Sequence, residues 1–139
     1  MRYRRLTREE FEALEPEFVR YLASEGIPAE EWAQRLVSGE GVEAHLDGFS
    51  EMYFDRATAE IECLEFRSEK ELWLFAFGER GAELVRLEEA EDGKARLVGT
   101  GSKAYEPEAR GREIFLLLEQ GARPCPKERF EAAQTSNPR

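Results

Sequence analysis

The chain carries one histidine, His45, and places it among carboxylates. Glu40, Glu43, Asp47 and Glu51 follow one another at steps of three, four and four. On a helix that spacing aligns them along one ridge, where clustered oxygens suit a hard divalent cation and an imidazole can act as acid, base or further ligand. The chemistry stops there, because no serine, cysteine or second ligand at a recognisable spacing completes a catalytic or metal site. The plainer reading is a solvated acidic face bearing a half-exposed histidine. His45, Asp47 and Glu51 therefore stand as the weaker alternative, a small-molecule- or metal-dependent enzyme. No catalytic residue, metal ligand or cofactor is assigned.

Two other groupings point to binding rather than catalysis. Arg2, Tyr3, Arg4, Arg5 and Arg8 form the one basic cluster. Interleaved arginine and tyrosine can clamp phosphate, stack on bases or dock on an acidic partner. With so much acid in the same chain, docking on its own carboxylates, for instance as an edge strand, is the favoured reading. The second grouping is Leu72-Trp73-Leu74-Phe75-Ala76-Phe77, six apolar residues in a row, which reads as a strand covered on both faces. If helices cover only one face, Trp73, Phe75 and Phe77 are offered to a second copy or another protein.

Cys63 and Cys125 are far apart and follow no metal spacing. Cys63, in an apolar strand beside Glu62 and Glu65, reads as an inert buried thiol, and the pair as cytosolic usage rather than a disulfide framework. Gly99-Thr100-Gly101-Ser102 reads as a loop leaving the sheet. It lacks the lysine and helix start of a phosphate-binding loop.

Composition narrows the field. A hydrophobic share of 41% indicates a folded chain, and a net charge of −10 disfavours nucleic acid and anionic membranes as partners. The only aspartates are Asp47, Asp55 and Asp92 and the only lysines Lys70, Lys94, Lys103 and Lys127, so glutamate and arginine carry nearly all of that charge. No apolar run is long enough to span a membrane and no signal-peptide core follows Met1. The expectation is a cytoplasmic protein.

The elements that would position these groups follow from periodicity. Thr7-Arg8-Glu9-Glu10 fits a capping box and opens a helix with Phe11, Leu14, Phe18, Tyr21 and Leu22 on one stripe; Pro16 kinks it or splits it at Glu15. Further helices are expected over residues 29–37, with Pro28 in the first turn and Trp32 and Leu36 on one face, and over 41–58. Strands follow at 61–66, 72–77, 83–87 and 95–98, joined by turns short enough to make an antiparallel meander. A last helix spans 108–120. Residues 128–133 form at most a short turn, and residues 135–139 a mobile tail after a single domain over 1–134.

The opening Met1-Arg2-Tyr3-Arg4-Arg5-Leu6-Thr7, with Phe11, Phe18, Ile27, Trp32 and the Leu64-Glu65 strand, resembles a family of short uncharacterised bacterial proteins. These open with Met-Lys/Arg-Tyr-Arg-Arg-Leu before a capped helix. The resemblance spans the helical half and the first strands and implies one soluble bacterial domain, without an activity or site residues to transfer; Pro16 and the longer C-terminal part depart from the pattern. The expected fold is α+β, with N-terminal helices and one C-terminal helix packed on a four-stranded antiparallel meander. The expected role is a non-enzymatic protein-binding or self-associating domain, with nucleic-acid binding through the basic arm as a third option.

Overall fold

The computed structural model describes residues 2–134, so the tail expected at residues 135–139 lies outside the described residues. The chain is α+β and divides into two compact units, Met1–Arg56 and Ala57–Arg139.

In the first unit Thr7 opens α1 (Arg8–Ala13) with the capping box. Its hydroxyl accepts from the Glu10 N–H at 3.2 Å, and the Glu10 carboxylate accepts from the Thr7 N–H at 2.8 Å. Leu14 ends this helix and starts α2 (Glu15–Ser24). Pro16 thus falls in a first turn, where no intrahelical acceptor waits for the N–H it lacks, and two helices form instead of one kinked one. Pro28 stands just outside α3 (Ala29–Ser38) as its N-cap, and Gly39 leaves that helix in the left-handed region at φ 79°. Then comes α4 (Val42–Ala59), whose last residues belong to the second unit. It supplies Phe49, 1% exposed, around which the rings of Phe11, Phe18 and Tyr21 gather at 5.9, 5.1 and 5.5 Å. Gly48 is required here, since a Cβ at that position would stand 2.4 Å from the Tyr21 hydroxyl.

The second unit holds β1 (Cys63–Arg67), β2 (Glu71–Phe77), β3 (Gly81–Glu89), β4 (Ala95–Ala104), a single 3-10 turn, α5 (Arg110–Glu119), β5 (Arg123–Pro124) and α6 (Lys127–Gln134). Among the described residues the sheet has five strands rather than four, in the order β4-β3-β2-β1-β5, all neighbours antiparallel. The fifth strand hid behind its proline, which an edge strand tolerates because its outward side needs no N–H. Residues 99–102 are not a loop but the second half of β4, where Arg86 faces Gly99 and Leu84 faces Gly101 after a register shift at Arg86/Leu87. Gly99 leaves room for Arg86, whose guanidinium would otherwise sit 3.1 Å from a Cβ. The segment expected as a short turn at residues 128–133 is helix α6.

The apolar strand β2 is covered on both faces. Leu72 and Leu74 join Cys63, Val85 and Leu87 beneath Phe130 and Ala133 of α6. Phe77 and Phe75 join Leu64 and Phe66 against Ile114, Leu117 and Leu118 of α5. The alternation follows from the period of two along a strand. Arg110, leading α5, donates to three carbonyls, those of Thr58, Ile61 and Phe77, at 3.3, 2.6 and 3.3 Å. Among the described residues no helix is long and apolar enough to cross a membrane.

Candidate binding site

The helical unit does not close over all of its apolar side chains. Leu6, Phe11 of α1, Phe18 of α2, Trp32 and Leu36 of α3 and Leu46 of α4 line a groove of about 390 Å³, with Arg5, Arg8, Glu12 and Glu15 also in its lining. That volume is within the range of pockets that take ligands or partner side chains. Phe18 is the hub: its ring meets those of Phe11 and Trp32 edge to face at 5.3 and 5.4 Å. The spacing of Trp32 and Leu36 puts both on one face of α3. Leu36 is 56% exposed and its neighbour Val37 is 91% exposed, so the apolar surface continues beyond the groove.

One wall is set by the N-terminal arm, which lies along α4. Arg2 bonds Glu51 at 2.9 Å and Asp55 at 2.6 Å, and the Tyr3 hydroxyl donates to Asp55 at 2.8 Å. Arg5 bonds Asp47 at 2.7 Å and Glu43 at 3.3 Å. The Leu6 N–H donates to the Ser50 hydroxyl at 2.9 Å, which itself donates to the Leu46 carbonyl at 2.8 Å, fixing Leu6 in the groove wall. Arg4 turns to Glu10 with two bonds, 2.7 and 3.1 Å, and lies 5.2 Å over the Phe54 ring.

These contacts set the charge states. Arg4 holds the Glu10 carboxyl down at about 2, and Arg5 keeps that of Asp47 below the usual carboxylate range. Glu51 and Asp47 in turn raise Arg2 and Arg5. The ridge read as a solvated acidic face is therefore largely neutralised by the chain's own arginines. Glu40 is not on it: it precedes α4, and its N–H donates to the Ser38 hydroxyl at 3.3 Å.

The residues of the enzyme alternative do not converge. His45 Nε2 accepts from Arg35 at 3.5 Å and its ring meets Trp32 at 6.0 Å, whereas Asp47 and Glu51 serve Arg5 and Arg2. Among the described residues no three His, Cys, Asp or Glu side chains are grouped as metal ligands would be.

Of the aromatic strand residues, Phe75 and Phe77 stack at 6.3 Å within the cluster that α5 covers. Trp73 is half-buried, donates to Glu71 at 2.8 Å and lies under the Arg86 guanidinium at 5.2 Å. Arg86 bonds Glu71 with two contacts, 2.9 and 3.0 Å. The sheet unit also has a cavity of about 420 Å³ between β3, β4 and α6, lined by Glu83, Thr100, Ser102, Phe130 and Gln134 among others. Among the described residues it brings no opposed charges or aromatic cluster to one point.

Sequence periodicity puts Phe11 and Phe18 on one helical stripe and Trp32 and Leu36 on one face, without saying what covers them. The signal that they form an open groove was Leu36-Val37, an apolar pair just ahead of the glycine that ends α3.

Residues 1–98 match the model of a family described as Family of unknown function (DUF6495), and the chain belongs to that family. The match takes in the whole groove and stops within β4, ahead of α5 and α6. No curated protein and no solved structure matches the chain.

Proposed function

We propose that this DUF6495 member is a non-enzymatic docking domain whose helical unit takes one amphipathic helix of a partner protein. The observation that carries the reading is the groove, where six apolar side chains from the arm and four helices meet in the open, with arginines and glutamates beside them. A helix in such a groove buries anchors at i, i+3 or i+4, and i+7, and the charged lining fixes its direction. Nucleic acid fits poorly, since the chain has a net charge of −10 and arginines 2, 4 and 5 already hold carboxylates. A cytoplasmic setting belongs to the same reading and is supported by two free cysteines.

The test uses Trp32 as reporter. The chain has two tryptophans, so Trp73→Phe leaves the groove's own indole as the only one. Helical peptides selected from a display library should shift its emission saturably, and Leu36→Glu should abolish the response while Val19→Glu, on exposed α2 surface, should not. Failure to recover any saturable binder, or binders indifferent to Leu36→Glu, would rule the docking role out. A dimer in sedimentation that Leu36→Glu dissolves would replace the partner helix with a second copy.

A further inference from the structure

Cys63 and Cys125 are 62 positions apart in sequence, yet their sulfurs approach to 2.7 Å. At that separation the two sulfurs are in direct contact and either thiol can donate to the other. Both are free, Cys63 buried and Cys125 half-buried.

The backbone explains the approach. β5 pairs with β1 at Leu64↔Pro124 and Glu65↔Arg123, and the next position in that register sets Cys63 opposite Cys125. The Cys125 N–H confirms the alignment by donating to the Cys63 carbonyl at 3.1 Å. Directly opposed residues of an antiparallel pair have Cα atoms about 4.5–5.5 Å apart, inside the span that a disulfide bridges. Burial pushes the Cys63 thiol up to about 12 and lifts that of Cys125 as well. Both thiols therefore ionise reluctantly, which separates this pair from a catalytic cysteine and makes any exchange slow near neutral pH and faster as pH rises.

The position of the pair gives the bond a consequence. Cys125 lies just ahead of α6, whose Phe130 and Ala133 cover the face of the sheet that contains Cys63, Leu72, Leu74 and Val85. We propose that Cys63 and Cys125 are a reversible thiol–disulfide pair, oxidised by small-molecule disulfides, whose bond latches α6 onto the sheet. In the first step Cys125, the more accessible thiol, gives up its proton and attacks one sulfur of the small disulfide, releasing one small thiol and leaving a mixed disulfide. Cys63 then loses its proton and attacks the Cys125 sulfur, displacing the second small thiol. The two protein thiols give up two protons and two electrons, and the small disulfide takes them up as two thiols. The reduced chain leaves α6 held by its packing, by the Arg129–Glu65 ion pair and by the Cys125 N–H bond to β1; the oxidised chain adds a covalent tie at its leading end.

The experiment uses the full chain, reduced, freed of reductant and incubated with oxidised glutathione. Intact mass after alkylation should show a species lighter by two hydrogens with neither cysteine alkylated, and excess reduced glutathione should reverse it. The Tm should rise by about 10 °C, and hydrogen exchange at residues 127–134 should slow. Cys125→Ser should show neither the mass change nor the slowed exchange. Because Cys125 is half-buried, that variant keeps the test informative even if Cys63→Ala fails to fold. Any of three results overturns the proposal: both cysteines remaining open to alkylation, wild type arresting as the glutathione adduct or a cross-linked dimer, or the bond forming without slower exchange in α6.

Discussion

The two units treat apolar surface in opposite ways. In the sheet unit β2 has a helix on each face, α6 over Leu72 and Leu74 and α5 over Phe75 and Phe77, and Leu64 reaches 0% exposure. In the helical unit Phe49 is just as deeply buried, but the layer around it opens into a groove and leaves Leu36 more than half exposed. The difference shows where binding can reside without loss of stability. A sheet strand with two apolar faces must be covered twice to keep its register, whereas a set of short helices can close one core beneath and leave a second apolar stripe free.

The contrast can be tested first at its extremes. Leu64→Ala removes a side chain with no exposed area and should lower unfolding free energy by about 2–5 kcal/mol; urea denaturation measures it. A loss below about 1 kcal/mol would mean that the sheet unit is not closed as described.

Next comes Gly48→Ala, under the groove. The new methyl would meet the Tyr21 hydroxyl at 2.4 Å and should cost about 1–3 kcal/mol, because overpacking moves a rigid ring. Tyr21→Phe removes that oxygen, so the double variant should recover much of the loss. A double variant no more stable than Gly48→Ala alone would place the defect elsewhere.

A smaller effect concerns the arm. The Glu10 carboxyl, held at about 2 by Arg4, is depressed in the folded chain. Its contribution is fully present above the carboxylate's unfolded value of about 4.3 and is lost as pH falls through about 2. Both side chains of the pair are about a third exposed, so solvent screening keeps the contribution to about 1 kcal/mol or less. The urea midpoint of wild type should therefore fall more steeply between those pH values than that of Glu10→Gln. Parallel curves would remove the Arg4–Glu10 pair from the stability of the arm.

Smallest of all is Leu36→Ala, which should change stability by about 0.5 kcal/mol or less while weakening any groove-bound helix. A large loss of stability there would show that Leu36 belongs to the core and would erase the difference between the two units.

Much of the fold was readable from local pattern. The Thr7 capping box, the break at Pro16 and the two-sided burial of β2 were all legible. Each depends on residues within a turn or a strand of one another. The misreadings also have physical causes. Arg123-Pro124 is too short and proline-bound to show a strand period, and Gly99 to Ser102 carries loop-forming residues that an exposed edge strand tolerates opposite residues 83–86. Docking of the arginine arm on the chain's own carboxylates was the favoured reading, but which carboxylates it meets was not legible, because Arg2 and Arg5 reach Glu51 and Asp47 from 49 and 42 positions away.

The sequence by itself determined most of the segments that become helix or strand and which of their faces are apolar, because periodicity records an element's own geometry. Only the tertiary structure decided which of those faces stay open, which carboxylates the arginine arm meets and that Cys63 touches Cys125. Those outcomes depend on strand register and on how helices dock across tens of residues, and neither is written in the spacing of neighbours.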